Sequence, residues 1–354
     1  SQKFPIRVTG MALMNAFLNS KQNGGVDNPN VASLVRGNAV GGATWRQSVL
    51  GFEYDGPGTL WGGKVHGSLF LDFFGGTNTP LGHNPRIRTA DITLDWGSRS
   101  IMFGQDKPIF APREPNSLAQ VGISPLTASG NLWLWAPQLR LEQRFTLGDR
   151  TTFRATAGII QTSETSANVP PQFAPTLERS RPGLEGRFEL SHAARFAVAP
   201  GFHFSTTHVA STAVPSRVAS LDWLAVPVSR VEWTGFLFAG QNVANFGVGA
   251  IRQGFTVLGP ASVIPIHSKG GWTQVKLRAT DRLSFHLLGG LHDDRNEDLR
   301  GAGIARNRSA GANFFYRLAP NVIASFETMQ VRTTHLGRGN RLNNHYDLAI
   351  AYLF

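Results

Sequence analysis

Large apolar residues alternate with small or polar ones along much of the chain. The closing stretch "NHYDLAIAYLF" sets Tyr346, Leu348, Ile350, Tyr352 and Phe354 on one side, and Asp347, Ala349, Ala351 and Leu353 on the other. Side chains of a strand point to alternate faces, so this segment has one apolar face and one smaller, partly polar face. "ADITLDW" repeats the pattern, with Ala90, Ile92, Leu94 and Trp96 against Asp91, Thr93 and Asp95. So do "LEGRFEL" (Leu184, Phe188 and Leu190 against Glu185, Arg187 and Glu189) and "TQVKLRA" (Val275 and Leu277 against Gln274, Lys276 and Arg278). A free edge strand of this kind invites aggregation, whereas a strand that closes a barrel has no free edge. Lipid on the apolar face and a wet lumen on the other account for the pattern. For any one segment, an amphipathic strand of a soluble sandwich is the alternative.

The same reading predicts strands near 4–19, 41–54, 59–75, 86–97, 99–105, 132–146, 151–162, 182–191, 195–209, 216–227, 230–240, 269–279, 282–292, 307–318, 321–334 and 342–354. That is sixteen; 14 or 18 stay open, because 99–105 and 216–227 carry the least pattern. Short turns, among them "DGPG" at 55–58, alternate with longer connections such as 106–131, 163–181, 210–215, 241–268 and 293–306. An up-and-down barrel with both termini at one end requires this alternation. The expected fold is therefore all-β: one antiparallel up-and-down transmembrane β-barrel domain spanning 1–354. Most of the eight Trp lie near predicted strand ends, where membrane interfaces place them; ordinary core Trp is the alternative.

Composition narrows the classes. No run of some 18 apolar residues exists, which excludes a transmembrane helix. Hydrophobic content of 41% is ordinary, but a barrel with a wet interior needs apolar residues on only half of each strand. Cysteine is absent, so there is no disulfide framework, thiolate metal site or Cys nucleophile. "SQKFPIRVTG" lacks the apolar core of a signal peptide, so an exported protein would begin here as its mature chain. The 34 basic residues against 23 acidic ones give a net charge of +11. They are dispersed, without a basic run or a recognition-helix pattern, so nucleic acid is not an expected partner and a cationic pore competes as the explanation.

Catalytic chemistry finds little support. There is no G-x-S-x-G and no HExxH, and the ten His are scattered. "HDDRNEDLRG" (292–301) brings Asp293, Asp294, Glu297 and Asp298 together without the spacing of a calcium loop, and reads as a solvated loop. "GVGAIRQG" (247–254) has glycines but no following helix, so a phosphate cradle is not expected. No metal, cofactor or catalytic residue is expected.

Sixteen strands, the closing Phe354 and one long fifth-to-sixth connection together resemble the bacterial outer-membrane porins. The stretch "MFGQDKPIFAPREPNSLAQVG…WAPQLRLEQRF" is similar to the DcaP-type porins, in which a Gly-Gln ends the fifth strand and a Pro-Gln-aliphatic-Arg segment opens the sixth. Here these are Gly104-Gln105 and Pro137-Gln138-Leu139-Arg140. DcaP-type proteins carry a helical extension before the barrel, whereas this chain enters its first strand at about Phe4. The resemblance implies a bacterial outer-membrane location with both termini on the periplasmic side. It also implies a homotrimer, contact with outer-membrane lipid and lipopolysaccharide, and insertion by the barrel-assembly machinery, which would read Phe354 as the end signal. Arg99, Arg150, Arg195, Arg230 and Arg282 follow short turns and fall on the periplasmic rim, as lipid-phosphate contacts or as solvated turn residues.

In such porins the third loop folds inward and narrows the channel. The matching segment is 106–131, which has four Pro and carries Ile109, Phe110, Leu118, Val121 and Ile123. Proline resists extension of the wall, and the apolar residues need a packing surface. Lys107, Arg113 and Glu114 are its candidate constriction charges, with solvated loop charges as the alternative. Inward wall positions include Arg7, Arg140, Arg144, Arg154, Arg187, Lys276 and Arg278, with Asp72, Asp91, Asp95, Glu142, Glu185 and Glu189. Pairing across "LGD" sets Arg144 opposite Arg154, an unfavourable arrangement unless water, an anion or nearby Glu142 screens it. Rings of Arg and Lys favour anions. The expected function is a water-filled diffusion channel for small hydrophilic solutes that prefers anions such as carboxylates. A general, weakly selective porin and an outer-membrane hydrolase of the lipase or protease type are the alternatives.

Overall fold

The computed structural model describes residues 6–76, 81–164, 169–247, 251 and 253–354, with only the backbone at 57 and 58. The expected start at Phe4 and part of the glycine stretch 247–254 fall outside them. The strands are β1 (Ile6–Asn19), β2 (Val40–Thr44), β3 (Val49–Leu60), β4 (Gly63–Gly75), β5 (Asn84–Asp95), β6 (Arg99–Asp106) and β7 (Ala136–Gly148). Then come β8 (Thr151–Gln161), β9 (Pro182–His192), β10 (Phe196–Val209), β11 (Thr212–Val228), β12 (Val231–Gln241), β13 (Phe255–Gly259) and β14 (Ser262–Pro265). The last five are β15 (His267–Arg278), β16 (Leu283–Asp294), β17 (Ile304–Ala319), β18 (Val322–His335) and β19 (Gly339–Leu353).

β2 and β3 both pair with β1 and form one stave, interrupted at 45–48. β13 and β14 make a separate hairpin. The remaining strands pair antiparallel in chain order, and β19 returns to β1 from Met11↔Leu353 to Asn19↔His345. The sheet is thus a closed sixteen-stave barrel with no free edge. At the seam the Gly10 amide donates to the Phe354 carbonyl (2.9 Å) and the Phe354 amide to the Gly10 carbonyl (3.2 Å). A Cβ at Gly10 would stand 2.3 Å from the Val49 carbonyl oxygen and 2.9 Å from the Phe354 ring, so only glycine allows this approach.

Alternation sorts the side chains as the pattern requires. Tyr346, Leu348, Ile350, Tyr352 and Phe354 lie exposed on the outer face, while Asn343, His345, Asp347, Ala349 and Ala351 are buried inside. Leu184, Phe188 and Leu190 face out, and Glu185 and Arg187 are buried. No described helix is long and apolar enough to cross a membrane, so a crossing rests on the strands.

Several boundaries differ from expectation, each for a local reason. The turn placed at 55–58 lies at Trp61–Gly62, whose φ values of 51° and 77° suit a two-residue hairpin. β3 runs on through "DGPG", which a register shift between Asp55 and Thr59 absorbs as a bulge. The loop expected at 210–215 is a two-residue turn at Ala210–Ser211, both with positive φ, so β11 starts at Thr212. Neither residue gives the Asn-Gly signal of such turns. β7 begins at Ala136 and not at 132, because the Trp133 and Leu134 amides bond to the Phe246 carbonyl oxygen (2.9 and 3.1 Å) and not to the wall. Trp61, Trp96, Trp223 and Trp233 mark the tight-turn end, but Trp133 and Trp272 are buried inside the barrel.

Candidate functional site

The connection from β6 to β7 crosses the interior and touches inward-facing residues of many staves. The Ile109 amide donates to Glu185 Oε2 (2.7 Å), and Ser220 Oγ to the Phe110 carbonyl (3.1 Å). Farther along, the Asn116 amide and side chain both donate to Gln274 Oε1 (3.0 and 2.8 Å), and Ser117 Oγ donates to Glu327 Oε2 (2.5 Å). Asn15 Nδ2 donates to the Leu118 carbonyl (2.8 Å), and Gln47 Nε2 to that of Ala119 (2.8 Å). Gln47 Oε1 accepts the Val121 and Gly122 amides (2.7 and 3.0 Å). On β17, Asn307 Nδ2 donates to the Ala128 carbonyl (3.0 Å), and Ser129 Oγ meets Ser309 Oγ at 2.7 Å. Side-chain amides suit this task because each offers both donors and an acceptor to loop backbone that has no ladder of its own.

Apolar contacts complete the attachment. Phe110 meets Phe246 edge-on at 5.1 Å and lies 6.3 Å from Phe236. Phe110, Leu126, Leu132, Phe236, Phe238, Phe246 and Trp272 belong to one buried cluster within the barrel. Ile109 and Leu118 are buried as well, and Val121 and Ile123 partly so.

Charged side chains gather on β5, β7, β8 and β9 and on the first stretch of the connection. Lys107 Nζ stands 3.2 Å from Glu114 Oε2. Arg113 donates to Asp222 Oδ1 (2.6 Å) and Glu189 Oε2 (3.1 Å), so it is tied to the wall and not a free constriction charge. Arg187 is nearly buried on the same two carboxylates, Asp222 (2.7 Å) and Glu189 (2.6 Å). Arg140 pairs with Asp106 (3.0 Å). Arg144 donates to Glu142 Oε1 (2.6 Å) and Asp95 Oδ2 (3.2 Å). Arg144 and Arg154 do stand directly opposite in the β7–β8 ladder, and Arg154 Nε reaches Glu142 at 3.7 Å. Lys276 and Arg278 lie apart on β15 near the tight-turn end, Lys276 opposite Glu232 and His286, Arg278 opposite Ser284. Gly104 and Gln105 pair with Gln138 and Pro137, and Gln138 Nε2 holds the Asp106 and Lys107 carbonyls (3.0 and 2.8 Å) as the segment leaves the wall.

Two inward arginines escaped the pattern reading. Counting back in twos from Ile92 sends Arg88 and Arg86 to the outer face. A bulge where Phe70–Leu71 meets Thr89 and Ile87 reverses the parity, so both turn inward. There they share Asp72: Arg86 Nη2 at 2.7 Å and Arg88 Nη1 at 3.0 Å. They also bond the Gly122 and Val121 carbonyls (2.5 and 2.7 Å) and lie 5.1 and 4.4 Å from the Trp135 ring, within cation–π range. The clamp residues Asn15, Gln47, Asn307 and Glu327 were also missed, and Gln274 was placed inward without that role, since a polar side chain carries no signal of a backbone partner distant in sequence. Asp293, Asp294, Glu297 and Asp298 disperse to Arg306, Ser268, Arg295 and His267. Among the described residues no group of three His, Asp or Glu could hold a metal ion.

No protein-family model matches the chain, and no curated protein matches it. Solved structures do. The outer membrane channel DcaP of Acinetobacter baumannii superimposes with a TM-score of 0.84 at 17% identity, over 100% of this chain and 99% of that one. An anion-selective porin from Comamonas acidovorans gives 0.68 at 13% identity, over 99% and 100%. The outer membrane protein OmpT of Vibrio cholerae, in a trimer form, gives 0.58 at 9% identity, over 99% of each chain. At these identities the likeness speaks for the fold, and in fold the chain is a sixteen-stranded barrel of the porin type, similar throughout its length to the DcaP channel.

Proposed function

We propose that the chain forms a water-filled diffusion channel in a bacterial outer membrane and passes small hydrophilic solutes with a preference for anions, carboxylates first among them. The observation that carries the preference is the unequal exposure within its ion pairs. Cations and carboxylates are nearly balanced along β5–β9, but the cation is usually the member that meets water. Side-chain exposures are 42% for Arg154 and 33% for Arg144 against 15% for Glu142, and 28% for Arg86 against 0% for Asp72. Arg140 and Asp106 are level, at 29% and 30%, and the buried Arg187 runs the other way, at 6% against 12% for Glu189. A solute in the lumen would therefore meet guanidinium edges in front of sunken carboxylates, a positive field focused by low-dielectric walls. The anion selectivity of the Comamonas porin agrees with this reading.

In the same reading, segment 106–131 is the constriction and the whole of 1–354 is one barrel domain. Lys107 and Glu114 lie beside the passage, while Arg113 braces the segment. Transport involves no bond chemistry and no cofactor. Three copies assemble, as in the trimer form of the Vibrio protein. Both termini face the periplasm. Phe354, at the seam with Gly10, is the signal read by the assembly machinery; deleting it should lower insertion more than synthesis, and normal yields of folded barrel would contradict that role.

The channel reading is tested with proteoliposome swelling. A small dicarboxylate should enter severalfold faster than a diamine of equal size. Equal rates would leave a general porin, and no swelling with either would remove the channel.

A further inference from the structure

Two of the long connections meet in a buried polar knot. Thr162 and Glu164 follow β8, Asn242 and Asn245 follow β12, and all four side chains are buried. Asn245 Nδ2 donates to Glu164 Oε1 at 3.3 Å, and the side chains of Thr162 and Asn242 also face that carboxyl. Backbone bonds fix the frame. The Thr162 and Glu164 amides donate to the Arg181 and Arg179 carbonyls (2.7 and 2.6 Å), and the Asn242 amide to that of Ile266 (3.0 Å). Asn242 itself sits at a φ of 52°, a left-handed conformation that asparagine tolerates better than most residues.

The frame is satisfied, but the side-chain ends are not. Glu164 Oε2, Asn242 Oδ1 and Nδ2, and Asn245 Oδ1 are buried without a hydrogen-bond partner. Among the described residues no Lys, Arg or His stands within 4.0 Å of the Glu164 carboxylate. The charged group that faces it is another acid, Glu178, which is engaged by Arg181 (2.8 Å) and His208 (2.9 Å). Buried polar groups cost free energy unless something pairs with them. A water molecule would pair with the amides but leave a carboxylate charge uncompensated. A proton would cancel the charge but leave the amide oxygens unpaired. A cation that accepts carboxylate and neutral oxygens together answers both. Calcium is such an ion, since it takes carboxylate, amide and carbonyl oxygens in flexible geometry.

We propose that Glu164, Asn242, Asn245 and Thr162 form a calcium site that staples the connection after β8 to the connection after β12. A single carboxylate among neutral oxygens suits the weak end of protein calcium sites, about 10⁻⁴–10⁻³ M, the range of extracellular modules. The staple also bears on the crossing segment. Phe246 follows Asn245 directly, its carbonyl accepts the Trp133 and Leu134 amides (2.9 and 3.1 Å), and its ring meets Phe110 edge-on at 5.1 Å. An ion at the knot thus holds the surface against which both ends of that segment pack. The site lies apart from the charged wall, and the proposal is independent of what the lumen conducts.

The test uses the folded, detergent-solubilised protein, freed of metal with a chelator, at a pH of about 8. Glu164 is ionised there, because burial pushes its carboxyl up only to about 7. Calorimetric titration with calcium chloride should show a site in wild type that half-saturates near ~10⁻⁴–10⁻³ M. Glu164→Gln should weaken it at least tenfold. Magnesium, smaller and reluctant to shed its water, should bind at least tenfold more weakly than calcium. Asn242→Asp sets a second carboxylate where both amide atoms lack a partner. It should tighten calcium at least tenfold, and it should melt below wild type in chelator but above it in millimolar calcium. That reversal is one that a merely structural asparagine would not produce. Heat-modifiable migration on gels verifies that each variant is folded. Equal calcium binding by wild type and Glu164→Gln would overturn the proposal, as would equal responses to calcium and magnesium. A wild type that responds to pH but not to calcium would assign the relief of charge to a proton and overturn it as well.

Discussion

The two walls of the lumen follow the same alternation yet do opposite things. The wall made by β15, β17, β18 and β1 presents Gln274, Asn307, Asn313, Glu327 and Asn15, and all of them are buried beneath the crossing segment. The wall made by β7 and β8 presents Arg140, Arg144 and Arg154, which keep part of their surface in water, while Arg86 and Arg88 on neighbouring β5 also hold the segment through the Gly122 and Val121 carbonyls. Inward phase alone therefore does not define a pore lining. Short amides, able to donate and accept, bind a strip of backbone and vanish under it. Long guanidinium groups, held by sunken carboxylates, keep part of their surface open to the lumen.

Removing the strip is the strongest way to break this contrast. Replacing residues 109–131 with a short Gly/Ser linker uncovers the amide wall and should raise single-channel conductance severalfold in a barrel that still folds. Unchanged conductance would place the strip outside the conducting path. A smaller effect comes from one clamp. Asn307 Nδ2 reaches the Asn30 and Ala128 carbonyls and Ser129 Oγ at 2.9–3.0 Å, and Asn307 Oδ1 accepts from Thr333 Oγ1 at 2.5 Å. Asn307→Ala should cost roughly 1–3 kcal/mol, because it leaves buried groups unpaired. Thermal melting would show the loss, and open-channel recordings should become noisier as the strip loosens. The same substitution at Gln330, whose amide is exposed on the outer face, should change neither.

The smallest expected effect is on pH dependence above the walls. Glu164, in the connection after β8, is buried beside Asn245, whose Nδ2 donates to it at 3.3 Å. Burial pushes its carboxyl up to about 7 from the usual 4.5. The folded form thus holds a proton that the unfolded chain releases, so this group's contribution is full below about pH 4.5 and declines as pH rises through about 7. The upper bound is on the order of 3 kcal/mol at 1.36 kcal/mol per pH unit. Hydrogen exchange in 162–164 and 242–247 should speed up across that window in wild type. In Glu164→Gln it should be flat. An identical slope in both proteins would assign the change to another group.

The barrel itself was legible because its outer face obeys a two-residue period over long runs, and the segment ending in Tyr352 shows it without interruption. The Arg144–Arg154 opposition was legible too, since a tight turn fixes the register of the strands it joins. What escaped was whatever breaks the period or carries no charge. The bulge opposite Phe70–Leu71 concealed Arg86 and Arg88. The Ala210–Ser211 turn lacked the Asn-Gly signal of a two-residue hairpin and hid the start of β11. Asn15, Gln47 and Asn307 were not singled out, because their partners lie 70 or more residues away in a segment without secondary structure. Arg113 was legible as a loop charge, but its two carboxylate partners come from β9 and β11, and no local pattern links them.

The central claim is that exposed guanidinium groups on the β5–β9 wall set the sign of selectivity. The zero-current potential of single channels in a low-salt KCl gradient tests it most directly, since screening at the ~8–10 Å Debye length of physiological salt would mask part of the effect. Wild type should be more permeable to chloride than to potassium. Changing Arg140, Arg144 and Arg154 together to Gln should move the potential toward neutrality or past it, because Glu142 then stands uncompensated. A wild-type channel that prefers potassium, or a triple variant with the wild-type potential, would contradict the account.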